Sequence, residues 1–167
     1  MQDAFDPHCS PSEGSVVYNT AHGPTKVSID GGQEVILARG EDYGSPRYSP
    51  DGKQIAFFDG ADPIKIIVMS AAGGPPIKTF SLAPGGSLRY SDYGLLHWTP
   101  DGRALTYPLL VGNEMNLWSQ PISGGSPHQI THFHDWIFSY DWSPDGKRLA
   151  ITRAKSSADV VLIKNFR

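Results

Sequence analysis

The chain has 167 residues, of which 19% are charged, and a formal net charge of −3 at pH 7. No cluster of lysine and arginine is present to neutralise a phosphate backbone, which excludes nucleic acid as an expected partner. No apolar stretch approaches the roughly 18 residues of a membrane span. Cys9 is the only cysteine, which excludes an intrachain disulfide and a cysteine-based zinc site.

Four predicted repeats follow one another along the chain, at approximately 3–40, 41–90, 91–133 and 134–167. Three of them carry the same phrase, a Ser or Thr followed by Pro-Asp-Gly and a Lys or Arg. The intact copies begin at Ser49, Thr99 and Ser143, and a degenerate copy without the Asp-Gly begins at Ser10. Self-similarity with a period of about 40 to 50 residues predicts a repeat architecture.

Each phrase predicts a tight hairpin. Ser or Thr at the first position, Pro at the second, Asp at the third and Gly at the fourth match a type I turn, which a left-handed Gly closes with a bulge. An alternating apolar run follows, such as Ile55-Ala56-Phe57-Phe58, and a second glycine turn comes later, as at Gly73-Gly74. Each repeat is therefore predicted to contain four strands. The long connection from Pro75 to Leu96 is predicted to be an insertion, with a lid over one rim as the alternative.

Four-stranded units of this length, arranged radially, form a β-propeller in which each sheet buries both faces. The repeated sequence, an aromatic residue before Ser-Pro-Asp-Gly-Lys, then Ile-Ala-Phe, Ile-Val-Met-Ser and Gly-Gly, resembles the WD-like repeats of TolB-type propellers over nearly the whole chain. The prediction is an all-β protein, a partial β-propeller of about four four-stranded blades over 1–167, within a larger ring of six to eight blades. Its open edges are expected to pair with a missing N-terminal part of the propeller or with a second copy. The alternative is a complete small ring of four blades.

The resemblance has functional implications. The ending 159–167 resembles the terminus of TolB-like propellers that are attached to bacterial serine/threonine kinases as sensor regions. This implies a non-catalytic scaffold that binds a protein or peptide, without a cofactor, in the periplasm, although the chain carries no signal peptide of its own.

Catalysis is not expected from the motifs. The sequence has no kinase motif and no Gly-x-Ser-x-Gly nucleophile elbow. The alternative interpretation is the substrate-gating propeller of a serine hydrolase related to prolyl oligopeptidase or dipeptidyl peptidase, with its catalytic domain absent from this chain.

The loops that lead into the innermost strands supply one candidate binding surface at the mouth of the channel. Each repeat places an aspartate at the equivalent position there, and in three repeats an aromatic residue follows. The predicted ligand-binding residues of this group are Asp42, Tyr43, Asp92, Tyr93, Asp135 and Trp136. The alternative is structural, because Asp at such junctions often bonds its own backbone and a repeated aromatic residue often packs between blades.

The innermost strands supply a second group of candidates. Two residues before the Ser or Thr of each turn stands a polar residue, which predicts a channel wall. These residues are His8, Arg47, His97 and Asp141, and Arg47 and His97 are suited to an anionic group. The alternative is a wall that holds only water. His132, His134 and Asp135 are too few ligands for a predicted metal site.

Overall fold

The computed structural model describes residues 4–40 and 43–154, which form four antiparallel β-sheets. In the first two sheets the strands lie side by side in chain order. The predicted all-β class and the succession of four-stranded units are confirmed for these sheets. The first sheet contains β1 (Ala4–Cys9), β2 (Ser15–Thr20), β3 (Gly23–Ser28) and β4 (Val35–Ile36), and the second contains β5 (Tyr43–Tyr48), β6 (Gln54–Asp59), β7 (Lys65–Ser70) and β8 (Pro76–Ser81).

The third sheet departs from this order. Its strands are β9 (Gly86–Ser87), β10 (His97–Trp98), β11 (Ala104–Val111), β12 (Glu114–Pro121) and β13 (His128–Gln129). Both β9 and β10 pair with β11, and a 3-10 helix at Tyr90–Leu95 separates them. The innermost strand of this blade is therefore divided into two short pieces. The described part of the fourth sheet consists of β14 (Trp136–Trp142) and β15 (Leu149–Ala154).

These pairings revise two boundaries drawn from the sequence. The connection that begins at Pro75 is not an insertion throughout, because β8 is the regular outer strand of the second sheet. The second repeat as drawn, 41–90, also includes β9, which belongs to the third sheet.

The Ser-Pro-Asp-Gly turns have the predicted geometry. In the first intact copy, the Gly52 amide donates to the Ser49 carbonyl at 2.8 Å, and the Ser49 amide donates to the Gln54 carbonyl at 2.9 Å. Gly52 has φ +72°, a conformation that L side chains rarely adopt. The Asp51 carboxylate accepts from the Ser49 hydroxyl at 2.6 Å and from the Lys53 amide at 3.1 Å. Ser49, Asp51, Gly52 and Lys53 thus all take part in the hydrogen bonds of the turn.

Each turn also contacts the preceding blade. A Cβ built on Gly102 would lie 3.6 Å from Pro50, and one built on Gly146 would lie 3.4 Å from Pro100. The turns thus follow one another along the same face of the fold, each resting on the proline of the turn before it.

Three apolar clusters fill the spaces between successive sheets. The largest buries Phe58 and Ile66 of the second sheet against Leu105 and Tyr107 of the third. The others lie between the first and second sheets and between the third and fourth. Alternate residues of β6 therefore enter different clusters, and burial of both faces explains why this strand is almost continuously apolar.

Aromatic residues before the turns connect the blades. The Tyr48 hydroxyl lies 2.9 Å from the Ser15 hydroxyl, the Trp98 indole donates to the Arg47 carbonyl at 3.0 Å, and the Trp142 indole donates to the Thr106 hydroxyl at 3.2 Å. In each case the aromatic side chain contacts the preceding blade, because successive residues of a strand point to opposite faces and the residue before each aromatic lines the channel.

Candidate functional site

The innermost strands β1, β5, β10 and β14 bring four predicted residues to one cavity. Its volume is about 340 Å³, and its lining includes His8, Arg47, His97 and Asp141. These residues are far apart in sequence, and each comes from a different sheet. The structure therefore brings together all four residues that the sequence places on the channel wall.

Arg47 lies at the centre of this group. Its Nη1 donates to the Asp6 carbonyl at 3.3 Å, and its Nη2 donates to the Gly94 carbonyl at 3.1 Å. These carbonyls belong to the first blade and to the segment that leads into β10. One guanidinium thus connects three successive blades at the channel.

Two bulges present the backbone to Arg47. The register of β1 shifts between Phe5 and His8, and that of β5 shifts between Gly44 and Arg47. Asp6 and Ser45, inside these bulges, have φ values of +53° and +47°, which is uncommon for residues other than glycine. The Ser45 hydroxyl donates to the Asp6 carboxylate at 3.1 Å, so the two bulges are bonded to each other.

The two histidines on the wall are held in the neutral form. Burial, and then the charge of Arg47, lower the pKa of His8, whose Nδ1 accepts from the Tyr48 amide at 3.2 Å. Burial and Arg47 also lower the pKa of His97 to about 4, against the opposing effect of Asp141. Each neutral imidazole keeps one N–H donor.

Asp141 marks the solvent side of the group. Its side chain is 80% exposed, and its Oδ1 lies 3.7 Å from His97 Nδ1. The wall therefore combines one permanent cation, two neutral imidazoles and one exposed carboxylate. Such a set can bind groups that accept hydrogen bonds and groups that donate them, and a peptide carries both.

The residues predicted at the channel mouth are mostly engaged in contacts within the protein. Asp42 lies outside the described residues, and so does the side chain of Tyr93. Tyr43 packs edge-on against Phe57 at a centroid distance of 5.4 Å. Asp135 pairs with Arg153 at 3.5 Å.

Asp92 and Trp136 share a partner that sequence reasoning missed. Asp92 is only 2% exposed, and its carboxylate accepts from the Arg89 amide, Nε and Nη2 at 2.9–3.2 Å. The Arg89 guanidinium also lies 4.6 Å from the centre of the Trp136 ring. The spacing of Arg89 and Asp92 by three residues was the available signal, because oppositely charged side chains three residues apart are neighbours on a helical turn.

Metal-ligating side chains are not clustered in residues 4–40 and 43–154. No group of three or more His, Cys, Asp or Glu side chains there could hold a metal ion. His134 pairs with Glu114 at 2.7 Å. In the same described ranges, no helix is long and apolar enough to cross a membrane.

Comparison with known proteins places this architecture among TolB-type propellers. TolB from Acinetobacter baumannii superposes with a TM-score of 0.73 at 18% identity, covering 95% of this chain and 39% of that chain. A putative TolB from Agrobacterium tumefaciens gives a TM-score of 0.54 at 16% identity, covering 94% of this chain and 72% of its own. Oligogalacturonate lyase in complex with manganese gives a TM-score of 0.62 at 16% identity, covering 87% of this chain and 46% of that chain. The chain thus has a TolB-like β-propeller fold.

Sequence comparison agrees with the fold over a shorter region. The Tol-Pal system protein TolB of Francisella tularensis subspecies mediasiatica is 32% identical over 62 residues, and so is that of subspecies holarctica. The matched region is 37% of this chain and spans 14% of the length of these relatives. No protein-family model matches the chain.

Proposed function

We propose that this chain is a non-catalytic β-propeller scaffold that binds a protein or peptide at its channel. The observation that carries the proposal is the cavity of about 340 Å³ that His8, Arg47, His97 and Asp141 line together. Four blades each contribute a polar side chain to it, whereas the spaces between blades are filled with apolar residues. A rigid scaffold with polar groups at a concave opening is a common arrangement for binding sites.

In this proposal, the residues at the channel mouth support the binding surface by holding the surrounding loops in place. Tyr43, Asp92, Asp135 and Trp136 hold the loops that surround the channel, and Asp42 and Tyr93 complete the predicted set. Loops fixed in this way hold a binding surface in one shape, which reduces the entropy lost on association.

A larger ring is part of the proposal. Large apolar side chains are exposed in the first and last described blades, with Ile29 at 66% in the turn after β3 and Phe138 at 60% in β14. Exposed apolar surface of this kind favours a covering partner. We propose that further blades from the same protein, or a second copy of the chain, cover these faces.

The cellular compartment and the parent protein of this chain are proposed from resemblance. The TolB-like fold favours the periplasm, and the sequence 159–167, which lies outside the described residues, favours attachment to a receptor-like serine/threonine kinase as its sensor region. The alternative of a peptidase-gating propeller predicts an adjacent hydrolase domain. Sequencing the full reading frame distinguishes these two assignments, because one predicts a kinase domain and the other a Gly-x-Ser-x-Gly elbow.

The binding proposal is tested by selecting a random-peptide phage library on the purified protein. Selected peptides are then measured by fluorescence polarisation against wild type, Asp141→Asn and His97→Gln. Both variants are expected to weaken binding at least fivefold at pH 7.5, without a change in melting temperature at that pH. Asp30→Asn is the matched control, because Asp30 is an exposed turn residue outside the cavity.

Two results would contradict the proposal. One is the absence of any selected peptide that binds the protein in solution. The other is a set of peptides whose affinities for Asp141→Asn, His97→Gln and the control are all equal to wild type, since these peptides would bind away from the channel.

A further inference from the structure

The side chain of Arg47 differs from those of three arginines that pair with carboxylates. Arg89, Arg103 and Arg153, with side chains 41–87% exposed, each lie within 4.0 Å of a carboxylate. Arg47 is more enclosed than these, and burial lowers its pKa. Among the described residues, no carboxylate lies within the same distance of its guanidinium, which instead contacts backbone carbonyls. The most enclosed cation of this set therefore has no carboxylate within ion-pair distance, and the charges of Asp6 and Asp141 act on it only from further away.

The carbonyls hold Arg47 without consuming all of its donors. Hydrogen bonds to Asp6, Pro46 and Gly94 use three of the five guanidinium N–H groups. The nearby Asp6 carboxylate is already bonded to the Ser45 hydroxyl. Arg47 therefore retains free N–H donors at the cavity wall and has no directly bonded carboxylate, and a partly buried charge is strongly stabilised by a directly bonded partner ion.

The groups around Arg47 indicate the charge of its partner. His8 and His97 add neutral N–H donors along the wall, and the exposed carboxylate of Asp141 lies 3.7 Å from His97 in the same cavity. One guanidinium balances one negative charge. A phosphate dianion would bring a second negative charge close to Asp141, so the arrangement favours a monoanion.

We infer that Arg47 binds a carboxylate of the ligand, with His97 as a neighbouring donor. This inference rests on the proposed function, because it assigns the ligand chemistry of the same cavity. The carboxylate is a side chain or the C-terminus of a peptide, and both present the same two oxygens to the guanidinium.

Changing the ligand tests the inference without disturbing the bonds of Arg47 to the backbone. Each peptide selected on the protein is synthesised in three forms: with its free carboxylates, with Asp and Glu replaced by Asn and Gln, and with an amidated C-terminus. One of the two neutral forms is expected to bind at least tenfold more weakly, and which one it is identifies the source of the carboxylate. Raising the salt concentration should weaken the charged form more than the neutral form.

A protein variant supplies an independent measurement. Arg47→Lys keeps the charge but removes the planar fork of donors, so it should reduce the difference between charged and neutral peptides. Arg103→Lys is the matched control, because Arg103 is exposed and lies outside this cavity; it should leave the difference unchanged. A crystal of the complex or a shift of the Arg47 Nε–H resonance on adding sodium acetate, compared with sodium chloride and inorganic phosphate, locates the site directly.

The outcomes separate this inference from the proposed function. Peptides that are sensitive to His97→Gln but bind equally with and without their carboxylates would overturn the inference and leave the channel as a binding site. A larger Arg47 shift with phosphate than with acetate would overturn the assignment of a monoanion. Loss of peptide selection altogether would remove both proposals, unless acetate still shifts Arg47, in which case only the peptide proposal fails.

Discussion

Tyr107 provides the sharpest test of the packing between the second and third blades. Its side chain is fully buried, its ring lies edge-on to Phe58 at a centroid distance of 6.0 Å, and its hydroxyl contacts no hydrogen-bond partner among the described residues. A buried unsatisfied polar group costs about 1–3 kcal/mol. Tyr107→Phe removes that cost and keeps the ring, so we expect the free energy of unfolding to rise by about 1–2 kcal/mol.

Tyr140 is the matched control, because it is also a buried tyrosine but its hydroxyl is bonded. It donates to the Leu95 carbonyl at 3.0 Å and lies 3.0 Å from the Thr106 hydroxyl. Tyr140→Phe leaves the buried carbonyl without this donor, so we expect a loss of about 1–3 kcal/mol. The same chemical change should therefore have opposite signs at two buried positions.

Urea unfolding followed by tryptophan fluorescence measures both effects, and equal m-values would show that the two variants differ in stability alone. The corresponding melting temperatures should differ from wild type by about 2–4 °C for each kcal/mol. Destabilisation by Tyr107→Phe would refute the reasoning, since it would mean that the hydroxyl is bonded in solution, for example to an enclosed water.

Three further predictions concern the turns, the channel and the joints between blades. Gly102→Ala should cost about 1–2 kcal/mol in urea unfolding for its left-handed φ of +68°, and Gly52→Ala should cost more, because its Cβ would lie 2.1 Å from a serine hydroxyl of the preceding blade; equal costs would contradict this. The pKa of His97 falls from 6.5 unfolded to about 4 folded. Its contribution to stability is therefore complete above pH 6.5 and is lost as the pH falls through about 4. The melting temperature of His97→Gln should depend less on pH over this range than that of wild type, and an unchanged dependence would contradict the prediction. Trp98→Phe removes an indole N–H that donates to a backbone carbonyl and should lower stability by about 1–3 kcal/mol; a neutral result in the same urea assay would show that this joint does not depend on the bond.

The repeated turns made much of the fold predictable from sequence. The Ser-Pro-Asp-Gly phrase specifies its own hydrogen bonds, so its position fixes where one strand ends and the next begins. The alternation of the innermost strands then determines which residues face the channel and which face the preceding blade. Both consequences hold for His97 and Trp98, which are adjacent in the sequence and lie in the cavity and between two blades, respectively.

Two features of the third blade depend on tertiary contacts that the sequence does not reveal. The pairing of β9 with β11 brings Gly86 so close to β11 that a Cβ there would collide with the Leu109 side chain. The ion pair of Arg89 and Asp92 depends on the 3-10 helix between the two strands. An aspartate that marks the channel mouth by its position in the repeat is thus buried by an arginine three residues away.

The joints between blades have a direction, which affects how variants should be interpreted. The later blade of each pair supplies both contacts: the aromatic residue before its turn and the glycine within the turn reach back to the earlier blade. At the start of the first described sheet the equivalent positions hold Cys9, which is exposed, and Glu13. That face therefore lacks the two contacts that join the other blades, so any blade packed against it must use contacts other than the repeated joint. A substitution in a turn accordingly perturbs the joint with the preceding blade first, and its effect on the channel comes through Arg47, whose side chain bonds the blades on both sides.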